Sequence, residues 1–333
     1  MIISRTPYRI SFFGGGTDYP GWFRENGGGA VLNTSINKYC YISCRYLPPF
    51  FKHKYLIRYR QIELVNDISE INHPSVRESL KFAGIDDGVE MNHSGDLPAR
   101  SGIGSSSSFT VGLLNTLSAL KGKMLTKRQL AMNAICVEQE MIKENVGSQD
   151  QVAAAFGGLN KIEFGGDEKF YVQPVTIGRD RLILLQNHLM LFFTGISRTA
   201  SEIAFEQIKK IPFNRKRLSH MKDMVDKAVG ILNDQNRNIE DFGRLLGEAW
   251  KIKRSLTAKI STDWIDGVYE DSLRAGALGG KLCGAGGGGF LLLFVPPQRQ
   301  TAVKKKLDNM LYVPFRFETL GSQIILYEAK DFV

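Results

Sequence analysis

Apolar and polar positions alternate along much of the first 60 residues, the period of strands rather than of helices. Residues 29–47 carry β-branched and aromatic side chains in rough alternation, and 54–60 reads as a further strand. The spacing then predicts a short helix over 75–84 and a strand over 89–94. A Ser/Gly-rich loop at 98–108 runs into an apolar helical stretch, Phe109–Leu120. Thr126 is placed as the N-cap of a helix reaching about Asn145. Strands are predicted at 159–164, 169–175 and 181–193. Thereafter the period becomes helical over 199–210, 216–236, 238–258 and 262–276. A Gly-rich loop at 284–289 enters the strand Phe290–Val295, and a helix at 298–310 and strands at 313–318 and 323–328 close the chain. Strands followed by helices, with few regular β–α alternations, predict an α+β fold rather than a doubly wound sheet. A change from strand-rich to helix-rich sequence near residue 180 predicts two domains, 1–180 and 181–333.

Composition narrows the classes. The chain has 333 residues, 43% hydrophobic and 23% charged, which is ordinary for a globular protein of about two domains. The longest apolar runs, Phe290–Val295 and Leu189–Phe193, fall far short of the ~20 residues that span a bilayer. No signal peptide is visible, so a cytoplasmic protein with no membrane partner is expected. Cys40, Cys44, Cys136 and Cys283 form no CxxC, and the five histidines (53, 73, 93, 188, 220) form no HExxH. Reduced thiols are expected, and no zinc site. The net charge of +9 favours anionic partners, and phosphorylated metabolites, nucleotides and nucleic acid all fit it.

Three segments concentrate glycine beside apolar elements: Gly14-Gly15-Gly16-Thr17-Asp18, Gly102-Ile103-Gly104 with Ser105 to Ser108, and Gly284-Ala285 with Gly286 to Gly289. Three such loops in one chain point to an anion or nucleotide site. Familiar signatures fail on inspection. Gly284-x-Gly286-x-x-Gly289 matches GxGxxG, but it leads into a strand, whereas a dinucleotide loop opens a helix. Gly280-Lys281 lacks both the earlier glycine, Ala275 standing there, and the following Ser/Thr of a Walker A loop. Asp241-Phe242-Gly243 sits in a helical pattern with no HRD loop before it. The middle loop is the most informative. Pro98-Ala99-Arg100-Ser101-Gly102-Ile103-Gly104-Ser105-Ser106 enters a helix, so free N–H groups and the positive helix end surround it, as a phosphate requires. Four consecutive serines exceed what an N-cap needs, and one could ligate a magnesium ion on the phosphates.

Pro98-x3-Gly102-Ile103-Gly104-Ser105-Ser106 resembles the phosphate-binding motif of the GHMP kinases. Pro7 to Tyr19 is similar to the N-terminal motif of the sugar kinases in that superfamily, and Lys281 to Gly289 to its C-terminal Gly-rich motif. Order and spacing agree over essentially the whole chain. The sequence Gly14-Gly15-Gly16 where galactokinases carry Gly-Glu-His, with Asp150-Gln151 and Thr194 to Arg198, resembles the branch that acts on heptose 7-phosphate. The resemblance implies a two-domain GHMP-kinase fold whose helix-rich second domain holds a small antiparallel sheet. It implies transfer of phosphate from ATP, with Mg2+, to the anomeric hydroxyl of a D-glycero-α-D-manno-heptose 7-phosphate, on the route to GDP-heptose for bacterial surface polysaccharide. No nucleic acid partner is implied. A fucokinase- or galactokinase-like hexose 1-kinase is the near alternative. A non-catalytic nucleotide- or nucleic-acid-binding module is the distant one.

Residue roles carry over by position. Asp150 matches the aspartate at the acceptor hydroxyl, against a plain reading as a helix N-cap. Arg9 matches the basic residue near the transferring phosphoryl, against a strand-edge ion pair. Pro98, Arg100, Ser101, Gly102, Ile103, Gly104, Ser105, Ser106, Ser107 and Ser108 form the nucleotide loop. Glu138, 12 residues before Asp150, matches the metal-binding glutamate. Glu140 is its rival, about 200° away on a helix, so only one of them can face the site. Ser106 would share the metal, with Ser105 as the alternative. Gly14, Gly15, Gly16, Thr17, Asp18, Gly286 and Gly287 are placed at the sugar, Asp18 competing with an Asx-turn reading. Arg198 is assigned to the substrate phosphate, with Arg24, Lys38 and Lys281 as alternatives.

Overall fold

The structure, a computed structural model, describes residues 1–166, 169–196 and 200–328, without the side chain of residue 200. The first half places β1 (Ile2–Phe13), the single turn α1 (Pro20–Phe23), β2 (Gly29–Tyr46), β3 (Tyr55–Arg58), β4 (Ile62–Val65), α2 (Pro74–Ala83), β5 (Val89–Gly95), α3 (Ser105–Leu120), α4 (Lys127–Ile135), α5 (Gln149–Phe156), β6 (Leu159–Phe164) and β7 (Phe170–Pro174). The second half places α6 (Arg179–Asn187), β8 (Leu189–Phe193), α7 (Ala200–Lys209), α8 (Arg215–Asn233), α9 (Glu240–Arg254), α10 (Asp263–Arg274), β9 (Gly279–Leu282), β10 (Phe290–Phe294), α11 (Gln300–Lys306), β11 (Leu311–Tyr312), β12 (Phe317–Glu318) and β13 (Gln323–Tyr327). The fold is α+β, with a strand-rich first half and a small antiparallel sheet in the helical second half.

Among the described residues, nine strands form the large sheet, in the order β13-β1-β2-β5-β3-β4, with β12 and β6 also paired to β2 and β7 to β6. A four-stranded sheet has the order β11-β8-β10-β9, each pair antiparallel. The last two strands therefore cross the divide expected near residue 180: β13 pairs with β1 and β12 with β2. Their hydrogen bonds are made at positions remote in sequence, which no local pattern reveals.

β1 alternates only at its start and is buried on both faces from Thr6 to Phe13. Helix α3 packs against it, and so do α8 and α9, so its second half has no solvent face. Helix α3 is itself enclosed, with Phe109, Val111, Leu113, Leu114 and Leu117 all buried. These two elements carry the residues described below, and neither can shift without opening a close-packed interior.

Two predicted elements are corrected. The strand predicted over 181–193 is α6 followed by β8. Arg181 and Leu185, four residues apart, are buried while Ile183 and Leu184 are exposed, so the apolar run there is read with a helical period. The helix predicted over 127–145 keeps α-geometry only to Ile135. Thr126 caps it with a capping box to Gln129, as predicted. It then widens into a π-helical turn, Cys136–Met141, in which the Ile142 N–H reaches the Val137 carbonyl. Lys143, at φ +62°, takes the left-handed conformation and ends it. Two bounds also move: α3 begins at Ser105, and of the strand predicted at 313–318 only β12 (Phe317–Glu318) remains, β11 lying just before it at Leu311–Tyr312. Among the described residues no helix is long and apolar enough to cross a membrane.

Candidate active site

Four chain segments meet at the C-terminal end of β1: the loop after it, the loop into α3, the start of α5 and the loop before β10. Arg9 stands at the centre. Its backbone N–H donates to the Ile103 carbonyl at 3.0 Å, which ties β1 to the Gly/Ser loop. Its guanidinium donates to both oxygens of Asp150, Nε to Oδ1 at 2.7 Å and Nη2 to Oδ2 at 2.6 Å. Nη1 donates to the Gly102 carbonyl at 2.7 Å. Burial works against the charge of Arg9, and Asp150 outweighs it, so Arg9 is held protonated above its ordinary range. The Arg9 side chain is 4% exposed and that of Asp150 25% exposed, so the carboxylate is the face of this bidentate pair that meets solvent. Asp150 lies in the first turn of α5, where the helix dipole favours an anion.

Asp18 lies beside this pair and is 2% exposed. Its Oδ1 accepts from the Gly16 N–H at 2.9 Å, and its Oδ2 from the Gln149 N–H at 3.4 Å, next to Asp150. Burial, helped by the charge of Asp150, pushes the Asp18 carboxyl above its usual range, while these N–H groups oppose the rise. Gly147 makes room for it, since a Cβ there would lie 1.8 Å from Asp18 Oδ2. The resemblance places Asp18 at the acceptor; on that expectation Gly147→Ala, which displaces Asp18, should raise the acceptor KM at least about tenfold with the ATP KM little changed, because about 1.4 kcal/mol of lost contact is tenfold. Steady-state kinetics check this, and an unchanged acceptor KM would remove Asp18 from the acceptor site.

The rest of the first glycine loop faces inward. The Thr17 hydroxyl lies 2.8 Å from the Gly14 carbonyl and 2.9 Å from that of Ala30, and it accepts from the Ala30 N–H at 3.1 Å. Gly14, at φ +79°, packs so closely on the Ala30 carbonyl that a Cβ would sit 1.9 Å from it. Gly14 and Thr17 thus hold the loop against β2. Gly16 stays on Asp18 through its N–H, and Gly15 faces the Gln149 side chain.

In the loop from Pro98 to Ser108, the Ser101 hydroxyl donates to the Pro98 carbonyl at 2.6 Å. The Arg100 N–H donates to the Ser105 hydroxyl at 3.1 Å, and Ser108 donates to the Pro7 carbonyl at 2.9 Å. These bonds shape the loop. Ile103 is buried, and Gly104, at φ +75°, lies against the Arg9 stem as the N-cap of α3. Ser106 is exposed at the start of α3. The glutamate question resolves in space: Glu138 is fully buried and Glu140 exposed, the π-helical turn presenting the former to α3. Glu138 Oε2 accepts from the Ser107 hydroxyl at 2.9 Å and from the Gln151 side chain; the Thr110 hydroxyl also favours the carboxylate, and Oε1 makes no hydrogen bond of good geometry. The serine that meets Glu138 is Ser107, one position beyond Ser106. Burial, with the charge of Glu144 adding to it, pushes the Glu138 carboxyl up to about 7.

The third glycine loop closes over the second. A Cβ on Gly102 would meet the Cys283 carbonyl at 2.4 Å, and one on Gly284 would meet the Gly102 Cα at 2.4 Å. The Ser101 carbonyl accepts from the Phe290 N–H at 3.1 Å. Gly286 packs on Ile260, whose carbonyl accepts from the Gly287 N–H at 2.8 Å, so these two glycines support the loop from the α9–α10 side. Arg198 lies outside the described residues. Arg24 is exposed and Lys38 half-buried, whereas Lys281 is buried and donates to the Phe12 carbonyl at 3.0 Å. Lys253, which the sequence reading did not single out, is buried in α9 and donates to the Gly284 carbonyl. The signal was available, because Lys253 falls on the same helical face as the apolar Leu246, Ala249 and Trp250.

Residues 72–158 match the GHMP kinases N terminal domain and residues 228–313 match GHMP kinases C terminal, and the chain belongs to the GHMP kinase family. Its relatives in that family differ in what they are named for. A D-glycero-alpha-D-manno-heptose 7-phosphate kinase of Campylobacter jejuni is 29% identical over 330 residues, covering 92% of this chain and 93% of that protein. A galactokinase of Thermococcus kodakarensis is 24% identical over 317 residues, covering 84% of this chain and 85% of that protein. The crystal structure of a D-glycero-D-manno-heptose 1-phosphate kinase from Bacteroides thetaiotaomicron shares the fold, with a TM-score of 0.78 at 24% identity over 99% of this chain and 100% of that one.

Proposed function

We propose that the chain transfers the γ-phosphoryl group of ATP to the anomeric hydroxyl of D-glycero-α-D-manno-heptose 7-phosphate, giving the 1,7-bisphosphate, an intermediate on the route to GDP-heptose. The observation that carries the transfer chemistry is the bidentate Arg9–Asp150 pair at the mouth of the Gly/Ser loop. The acceptor sugar rests on the Campylobacter relative and on the Gly14-Gly15-Gly16 segment.

The loop from Pro98 to Ser108, with the N-terminus of α3, offers backbone N–H groups to the phosphates. The sugar hydroxyl lies at Asp150, whose free carboxylate face accepts the hydroxyl proton as the oxygen bonds to phosphorus and the bridging P–O bond to ADP breaks. Arg9 holds the carboxylate in one orientation and supplies positive charge beside the developing phosphoryl charge. Asp18 accepts hydrogen bonds from sugar hydroxyls.

The residues at Glu138 fit a magnesium ion: a buried carboxylate oxygen that no hydrogen bond of good geometry satisfies stands beside a seryl and a threonyl oxygen at the helix start, and hard oxygen donors suit that ion. Glu138, with Ser106 or Ser107, would hold it, and when bound the ion neutralises phosphate charge.

The test is ³¹P NMR of the products formed from ATP, Mg2+ and a panel of sugars with and without a terminal phosphate. Heptose 7-phosphate should gain an anomeric phosphate resonance. Removing the 7-phosphate should cost roughly 10–100-fold in kcat/KM, because a charge-assisted contact is worth about 1.5–3 kcal/mol. Arg198→Ala should cost a similar factor with the phosphorylated sugar only. Equal use of free galactose or fucose would replace this reading by a hexose 1-kinase.

A further inference from the structure

Two buried lysines behind the site lie outside the groups assigned to the reaction. Lys253 on α9 and Lys281 on β9 are each 4% exposed. Among the described residues neither makes an ion pair, and each donates to a single acceptor, a backbone carbonyl: Gly284 for Lys253 and Phe12 for Lys281. An ammonium has three donors, so both retain donors in a place where unpaired charge is costly. The groups whose charges act on the pair are Arg9 from β1, Asp18 from the loop after it, Asp150 from α5 and Cys283 beyond β9. Burial holds the Cys283 thiol neutral by raising its pKa. Burial also drives the Lys281 ammonium well below its ordinary range, with the charge of Lys253 adding to the fall, and favours Asp18 in its neutral form, which leaves the two cations Arg9 and Lys253 against the one carboxylate Asp150. The cluster lacks a negative charge.

Its position says where that charge belongs. Gly284, whose carbonyl Lys253 holds, packs backbone to backbone on Gly102, whose carbonyl Arg9 holds. Arg9 and Lys253 thus each hold one of the two stacked glycines by its carbonyl. We propose that Lys253 is a positioning residue for phosphoryl transfer, fixing the Gly284 loop against the phosphate loop and supplying buried positive charge that balances the phosphoryl group between Gly102 and Asp150. The inference rests on the phosphoryl-transfer reading. Burial, with Arg9 adding to it, lowers the Lys253 ammonium to about 8, so a rise in pH removes its charge.

Two variants separate this role from a structural one. Lys253→Met keeps the apolar stem and removes the charge, whereas Lys253→Arg keeps the charge. In the Met variant kcat should fall roughly 10–100-fold with both KM values within about threefold, as one lost electrostatic contact predicts. The wild-type kcat should fall above about pH 8, where Lys253 deprotonates, and this limb should be absent in the Met variant. Arg should restore part of the rate. A Met variant with wild-type kcat and the same alkaline limb, or with lower stability but unchanged kcat per folded molecule, overturns the proposal. A readout free of turnover is the rise in Tm produced by inorganic tripolyphosphate at pH 7. That rise should be large in wild type and clearly smaller in Lys253→Met, and equal rises overturn the proposal. If wild type binds tripolyphosphate in this Lys253-dependent way yet phosphorylates no sugar, the acceptor assignment fails and the charge assignment stands.

Discussion

Asp150→Asn should lower kcat by roughly 10²–10⁴-fold, the usual contribution of a general base, with little change in ATP affinity. The side chain keeps its shape and loses its charge. Asp150 meets Arg9 through two oxygens, at 2.7 and 2.6 Å. An asparagine offers one oxygen and one NH2, so one of the two guanidinium donors would face another donor. Arg9 is 3% exposed and would lose the counter-charge that keeps it comfortable in the interior. A stability loss of about 1–3 kcal/mol is therefore expected beside the kinetic loss. Rates must be referred to the folded fraction, measured by denaturant titration. Should kcat per folded molecule stay near wild type while stability falls, Asp150 is an N-terminal helix residue paired to Arg9 and not the base.

Glu138→Gln should move activity and stability in opposite directions. Loss of a metal-holding carboxylate removes several kcal/mol of charge stabilisation, so turnover should drop roughly 10²-fold or more and need higher Mg2+. The ligand-free protein should gain. Its Glu138 carboxyl is raised from 4.5 to about 7 by burial, with Glu144 adding to the rise. The folded state binds the proton more tightly than the unfolded chain, so below pH 4.5 the residue costs nothing. The penalty grows between pH 4.5 and 7 and is fully present above 7, where it reaches roughly 3 kcal/mol. The glutamine variant should thus have a higher Tm than wild type at pH 8 without metal, and a nearly equal one at pH 4.5. Added Mg2+ should raise the wild-type Tm and leave the variant unmoved. A variant less stable than wild type at pH 8, or one equally sensitive to Mg2+, would take the metal away from Glu138.

The sequence carried more of this molecule than local patterning usually does, because the site is built from loops whose chemistry is written in consecutive residues. Gly102 to Ser108 can be read as a phosphate cradle since a loop-to-helix junction needs only local geometry to expose its N–H groups. The strand and helix order followed from periodicity, and the α+β class followed from that order. Where periodicity was lost, the reading failed: the apolar stretch Arg181–Phe193 carries both a helix and a strand, and burial of Arg181 and Leu185 on one face is a property of what packs there.

Tertiary structure alone decided which side chains meet. Arg9 and Asp150 lie 141 residues apart and join because β1 and α5 are brought to one end of the large sheet. Spacing left Glu138 and Glu140 as rivals, and the π-helical turn separated them by burying one. Gly14 packs on the Ala30 carbonyl and Gly286 on that of Ile260, contacts that no motif reveals, because a glycine permits close approach to backbone as readily as to a ligand. Lys253 falls on the apolar face of α9, but only the packing of α9 against the small sheet brings its ammonium onto Gly284. Periodicity and motif report what a residue's neighbours in the chain require. Charge balance, burial and the pairing of distant groups depend on the neighbours that folding supplies.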